Sequence, residues 1–295
     1  MKIEIEHLSK IYPNNKKALN NVNLEIGNGM FGLLGPNGAG KSTLMRILVT
    51  LMLPTTGKVT INGMDLQQDR GRIRQLIGYL PQDFRFFSKL RTWEFLDYAA
   101  GLAGLKQKNI RRQKVDEWLE RVGLFDARDR QANKLSGGMK RRLGIAQALI
   151  GEPQLIIVDE PTTGLDPEER IRFRNILSEI GQHDVTIILS THIVGDISSV
   201  CRDLALLNEG RVQFTGSPET LIEKTRGHVW KVTTKGVEYD LLKEQYAVIS
   251  TIPSGDGWEV QVVGEVAPEG HAEAIEPTLE HAYVYFMDEV LTVII

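Results

Sequence analysis

The chain has 295 residues, of which 42% are hydrophobic and 25% charged, with a formal charge of −3. This balance excludes a disordered chain and a strongly cationic nucleic-acid binder, and the length predicts one large domain with a smaller companion. A single cysteine, Cys201, excludes an intrachain disulfide and suits a reducing compartment.

Residues 1–12 interleave charges with isoleucines, so they read as a first strand and lack the apolar core of a secretory signal. Ile3 and Ile5, then Val22, Leu24 and Ile26, alternate with polar neighbours as half-buried strands do, and Met30–Leu34 reads as a short apolar strand. Leu44, Ile47, Leu48 and Leu51 follow with the spacing of a helix that buries one face. From Arg91 to Gly123 the pattern is helical, with Thr92 as a candidate cap, a stripe of Val115, Trp118, Leu119 and Val122, and Gly123 as a stop.

Strand signals return at Leu155–Val158 and Thr186–Leu189, separated by a helical stripe of Phe173, Ile176, Leu177 and Ile180 that stops at Gly181. Strand and helix in alternation predict a mainly parallel sheet with right-handed crossovers. Beyond about residue 222 the strand-like Val229–Thr233 and Trp258–Val263, around a helix near Tyr239–Gln245, predict a small α+β appendage. The longest apolar runs, Leu155–Val158 and Val290–Ile295, fall far short of the ~18 residues a spanning helix requires. Any membrane connection is therefore expected through a partner.

Between the Met30–Leu34 strand and the helix lie Gly35, Pro36, Asn37, Gly38, Ala39, Gly40, Lys41 and Ser42, which fit G-x-x-x-x-G-K-[ST], with Thr43 next. Glycines allow backbone N–H groups to turn toward phosphate oxygens, and the helix N-terminus adds partial positive charge. Lys41 can neutralise the β- and γ-phosphates of ATP, and Ser42 can ligate Mg2+. Asp159 and Glu160 follow the Leu155–Val158 strand, at the sheet end where open α/β folds bind ligands. Asp159 fits a magnesium carboxylate and Glu160 a group that polarises an attacking water, although an acidic pair there also suits a solvated turn or a helix cap.

Ser136, Gly137 and Gly138, within Leu135–Arg142, open a further helical stretch and can present a second anion-binding N-terminus, with a glycine turn capped by Ser136 as the plainer reading. One nucleotide has a single triphosphate. Here the chain resembles the ABC ATPase family, whose LSGG signature in one subunit closes over ATP held by the phosphate loop of another. The resemblance covers roughly residues 1–220. It implies a P-loop NTPase α/β fold with an antiparallel β subdomain and a helical subdomain at about 83–135, within an ATPase domain of residues 1–222 and an accessory domain of 223–295.

The resemblance also assigns Tyr12 to adenine stacking, Gln82 to joining Mg2+ and the transmembrane partner, Asp166 to the subunit contact, and His192 to the γ-phosphate. Catalysis then falls to Glu160, His192 and Lys41, and the metal to Ser42, Gln82 and Asp159. Plainer roles stand beside these: a packed strand tyrosine, a loop amide after Pro81, an N-cap before Pro167, and a structural histidine. Met139 departs from the family, which carries glutamine there in many members. The basic run Lys140–Arg142 reads as a solvated helix face.

Phe84, Phe86, Phe87, Trp93 and Phe95 suit either core packing or a cleft for a cytoplasmic helix of a membrane subunit. Residues 275–283 resemble the end of ATPase subunits from bacterial export systems with separately encoded components. The expected assembly is a permease on another chain plus a second ATPase subunit, without nucleic acid, on the cytoplasmic face of the cell membrane.

Overall fold

The computed structural model describes residues 1–84, 89–181, 185–255, 257–270 and 272–287. Two compact units result, Met1–Val212 and Gln213–Ile295. In chain order the strands of the first unit are β1 (Ile3–Ile11), β2 (Lys17–Ile26), β3 (Gly29–Leu34), β4 (Thr56–Ile61), β5 (Met64–Asp65), β6 (Ile77–Leu80), β7 (Leu155–Asp159), β8 (Thr186–Thr191) and β9 (Asp203–Asn208), with β10 (Arg211–Gly216) at the boundary. Its helices are α1 (Lys41–Leu48), α2 (Arg70–Leu76), α3 (Thr92–Leu102), α4 (Lys108–Arg121), α5 (Gly137–Leu149), α6 (Pro167–Gly181) and α7 (Val194–Ser198).

One sheet, ordered β2-β1-β4-β5, is antiparallel. Another contains the parallel run β9-β3-β8-β7-β6. The β7 strand is buried at every position and β8 likewise, as expected of central parallel strands covered on both faces. Because β3 and β7 both pair with β8, their C-terminal ends emerge side by side, which sets the position of the site. The core joins Ile3, Ile26 and Ile61 of the antiparallel sheet to Leu33, Ile157 and Ile188 of the parallel one, through Leu44, Ile47 and Leu48 of α1.

The parallel sheet matches its prediction, with local corrections. The α1 helix stops at Leu48, and Leu51, predicted for its buried face, is 67% exposed. Thr92 is the first residue of α3 rather than its cap. It is fully buried, with its hydroxyl donating to Arg130 O at 3.0 Å.

The basic run Lys140–Arg142 is not a solvated face. Arg142 is 6% exposed and donates to the carbonyls that end α4, Val122 O at 2.8 Å and Gly123 O at 2.9 Å. It also meets Glu169 of α6, with Nε to Oε2 at 3.2 Å, close enough for an ion pair but off the line of a hydrogen bond. Burial pulls its pKa below the usual guanidinium range, and the Glu169 carboxylate opposes that shift.

The second unit contains α8 (Pro218–Glu223), β11 (Val229–Thr234), α9 (Val237–Gln245), β12 (Ala247–Ser254), β13 (Gly257–Val263), β14 (Ala272–Ala274) and α10 (Leu279–Met287). Its antiparallel sheet is ordered β12-β13-β11-β14 around Val232, Val260 and Val262. β12 was missed because Ala247–Ser254 is at most half-buried throughout and includes Pro253. Residues 290–295 lie outside the described residues.

Truncating Arg142 to alanine would leave two helix-end carbonyls without their donor and Glu169 with only the more exposed Arg172 as its cation, at a cost of about 3 kcal/mol. Urea unfolding of R142A, compared with the wild-type chain, checks this through the shift in midpoint.

Candidate nucleotide site

The segment from β3 to α1 folds as the glycine pattern requires. A Cβ at Gly35 would lie 2.1 Å from Leu207 O, and one at Gly40 would lie 2.4 Å from Ala18 O. Gly40 is also the N-cap of α1, with φ 106°, a conformation that side chains disfavour. The loop is thus pressed against the backbones of β9 and β2, with Asn37 and Gly38 exposed at its tip and Ala39 buried. Lys41, 4% exposed, donates to Gly35 O at 2.7 Å and to Pro36 O at 3.0 Å.

The other half of the cluster comes from β7 and β8. Asp159 pairs in register with Ser190, whose hydroxyl donates to Asp159 Oδ1 at 2.9 Å. Burial pushes the Asp159 carboxyl above the usual range, while hydrogen bonds from Ser190 and Ser42 and the nearby Lys41 ammonium oppose the shift. Glu160 has φ 49°, and its N–H donates to Ser190 O at 2.9 Å. A non-glycine residue held at positive φ costs about 1 kcal/mol or more, and here it aims the carboxylate inward. Glu160 Oε1 lies 3.2 Å from Lys41 Nζ. Its Oε2 lies 2.5 Å from His192 Nδ1 and accepts from Thr163 Oγ1 at 3.1 Å.

Lys41, Ser42, Asp159, Glu160 and His192 therefore meet in one cluster drawn from three chain segments. Tyr12 stands at its margin, half-buried, with its hydroxyl 3.1 Å from Thr43 Oγ1. Ser136 and Asp166 take local roles: Ser136 Oγ caps α5 by accepting from Met139 N at 3.2 Å, and Asp166 Oδ1 caps α6 by accepting from Glu169 N at 2.9 Å. The capping function for Asp166 is thus present. Gln82 is exposed and lines a groove of 310 Å³ with Asp83, Phe84, Gly137, Arg141 and Thr163–Leu165. Gly138 is packed so tightly on Glu169 that a Cβ would lie 2.6 Å from that carboxylate.

Reasoning from sequence missed Ser190 and Thr163, which hold the two carboxylates, and the buried trio of Thr162, Thr191 and Asp196, in which both threonine hydroxyls reach Asp196 Oδ2. The readable signal was a polar Ser-Thr pair ending the apolar strand Thr186–Leu189, a place where buried hydroxyls need partners.

The donors near Asp159 are a hydroxyl and a carboxylate, the oxygen set that suits a hard cation such as Mg2+. Among the described residues, no three His, Cys, Asp or Glu side chains gather to hold an ion. A magnesium site that takes one or two carboxylates beside phosphate and water needs no such cluster.

A parallel sheet whose strand ends carry a glycine phosphate loop, a buried lysine and an acidic pair defines a P-loop nucleotide-binding protein. The family model described as ABC transporter matches residues 19–163. The uncharacterised ABC transporter ATP-binding protein YxlF of Bacillus subtilis is 36% identical over 79% of this chain and 77% of its own length. The methionine import ATP-binding protein MetN of Desulfitobacterium hafniense is 33% identical over 90% of this chain and 81% of its own. Among solved structures, a dimeric post-hydrolysis state of the ATP-binding cassette MJ0796, bound to ADP and Pi, matches with TM-score 0.68 and 27% identity over 73% of this chain and 98% of its own. This chain belongs to the ABC transporter ATP-binding protein family, and it is an ATP hydrolase.

Glu160→Gln preserves the shape of the cluster but removes the charge that a water-activating group needs. Nucleotide affinity is expected to hold, while steady-state phosphate release falls by about 10²-fold or more. A fluorescent-nucleotide titration alongside a phosphate-release assay reads both, and normal turnover would remove Glu160 from its assigned role.

Proposed function

We propose that this chain hydrolyses ATP to drive export across a membrane through a transmembrane subunit on another polypeptide, and that a second ATPase chain completes its nucleotide site. One observation carries the reading: Lys41 and Ser42 belong to the cluster around Glu160, whereas the Ser136 hydroxyl, at the start of α5, bonds among the described residues only to Met139 N and pairs with no member of that cluster. One triphosphate bound at Lys41 leaves the Ser136 helix N-terminus for a nucleotide on a facing chain.

In this cycle Tyr12 stacks on adenine, and the loop from Gly35 to Gly40 directs its N–H groups at the phosphates. Ser42, Asp159 and Gln82 would hold Mg2+, which neutralises charge on the β- and γ-phosphates. Lys41 holds the γ-phosphate, His192 contacts it from the adjoining end of β8, and Glu160 orients the attacking water. The observed pairing of Glu160 with both Lys41 and His192 supports these roles, because it joins the phosphate ligand, the water-orienting carboxylate and the γ-phosphate contact directly. Asp166 would add a contact to the second chain beside its cap.

The transmembrane partner has a candidate seat. A cavity of 550 Å³ is lined by Arg74, Gln75 and Tyr79 on one side and by Phe84, Phe95, Tyr98 and Leu102 on the other. Leu102 is 73% exposed and Tyr98 50% exposed, an apolar rim suited to an amphipathic helix. Of the aromatics expected there, Phe84 and Phe95 line the cavity edge to face at 5.9 Å, while Trp93 lies under the Arg112 guanidinium. Phe86 and Phe87 lie outside the described residues. No helix among the described residues is long and apolar enough to cross a membrane. A position on the inner face of the cell membrane would follow from the partner.

Export, as the direction, rests on the likeness of residues 275–283 to subunits of export systems; MetN, named for import, is the relative that weighs against it. Membrane vesicles of known orientation decide: ATP-dependent accumulation in inverted vesicles supports export, and accumulation only when ATP is inside right-side-out vesicles overturns it. Leu102→Glu would place a charge on the rim without touching the nucleotide cluster. Hydrolysis by the isolated chain should stay unchanged, and recovery of the membrane subunit in mild detergent should fall by about tenfold, the effect of ~1.4 kcal/mol.

A further inference from the structure

Arg74 lines the 550 Å³ groove, yet its guanidinium is spent on the far end of the helix that begins at the phosphate loop. Its Nε donates to Thr50 Oγ1 at 2.6 Å and its Nη2 to Thr50 O at 3.3 Å. Arg70, one turn earlier on α2, adds a longer bond to the same carbonyl at 3.4 Å.

Thr50 is a costly place to end a helix. It is 2% exposed and sits at φ 61°, a conformation that β-branched residues rarely adopt and glycine usually supplies at this position. The turn is closed by Thr50 N donating to Ile47 O at 2.8 Å, and by Leu51 N and Met52 N donating to Arg46 O at 2.9 and 3.1 Å. Two guanidinium groups therefore secure a strained C-terminal turn and set positive charge against the negative end of the helix dipole. The opposite end of α1 carries Lys41, Ser42 and Thr43. At 1.5 Å per residue its eight residues span about 12 Å, and with Leu44, Met45, Ile47 and Leu48 buried it responds to force as one body.

We infer that Arg74 is a positioning residue that couples the groove to the phosphate loop: pressure on α2 from a seated partner segment is passed through the Arg74–Thr50 bonds to the C-terminal end of α1, and so to the orientation of Lys41 and Ser42. This inference rests on the groove being the partner's seat. Coupling between two sites is reciprocal, so nucleotide binding must also move α2. That reverse direction can be read without a partner. Ile73 packs into the same core as α1, and the test must therefore separate its packing from the hydrogen bonds of Arg74.

Gln75→Cys, in the full chain, would carry an environment-sensitive fluorophore on the groove wall beside Arg74. The native Cys201 is buried, and burial pushes its thiol up to about 12, so it stays unlabelled. ATP with Mg2+ is the probe. Emission from the label is expected to shift on nucleotide binding; adding Arg74→Met, which keeps the aliphatic stem, should cut that shift by about fivefold while nucleotide affinity stays within about twofold. Arg74→Lys, with one donor group in place of a fork, should restore part of the shift.

An undiminished shift in R74M overturns the inference, as does a label that never responds to nucleotide. Loss of affinity in step with loss of signal also overturns it, since that marks a merely structural role. The Leu102→Glu recovery experiment tests the seat separately. If the membrane subunit still co-purifies with L102E while R74M silences the label, the docking reading fails and the coupling of Arg74 to α1 stands.

Discussion

A buried ion pair, Lys41 with Glu160 at 3.2 Å, joins the two segments on which everything else in this molecule depends. Both side chains are 4% exposed, and charges so deeply placed are tolerated only when paired and hydrogen-bonded. The requirement is met from all sides. Loop carbonyls take the remaining protons of Lys41, and His192 and Thr163 take the second oxygen of Glu160. The pair thereby fixes the phosphate loop against the end of β7, and Ser190 holds Asp159 beside it.

That cluster depends on sheet order. Parallel pairing of both β3 and β7 with β8 brings strand ends together that are more than a hundred residues apart in the chain. The same order gives the cluster neighbours on both sides. One end of α1 enters it and the other is held by α2, while Gln82, at the end of β6, lines a groove that also meets the start of α5 and the turn after Glu160. Arg141 reinforces that side by donating to Pro81 O at 3.2 Å. Helix α1 and the side-chain bonds of Arg74 connect the nucleotide cluster to the groove beside α2.

Much of the site was legible because its chemistry is local. Gly35–Ser42 needs glycines and a lysine at fixed offsets, Ser136 needs to precede a helix, and Asp159–Glu160 needs to end an apolar strand. Such requirements leave their mark on consecutive residues. Arg142 misled because a basic run at a helix start ordinarily points to water, whereas this one is folded onto the carbonyl end of α4. Leu51 misled because helical spacing continues past the point where Thr50 turns the chain.

The sequence alone determined the nucleotide-binding class, the parallel sheet that carries it, and the helix that opens at Ser136, because each is written in short-range pattern. Only the tertiary structure decided which groups hold the carboxylates, that Thr163, Ser190 and His192 converge on them, and that Arg74 reaches the far end of α1. Those contacts join residues distant in the chain, and their partners are chosen by strand order and burial, which no local spacing encodes.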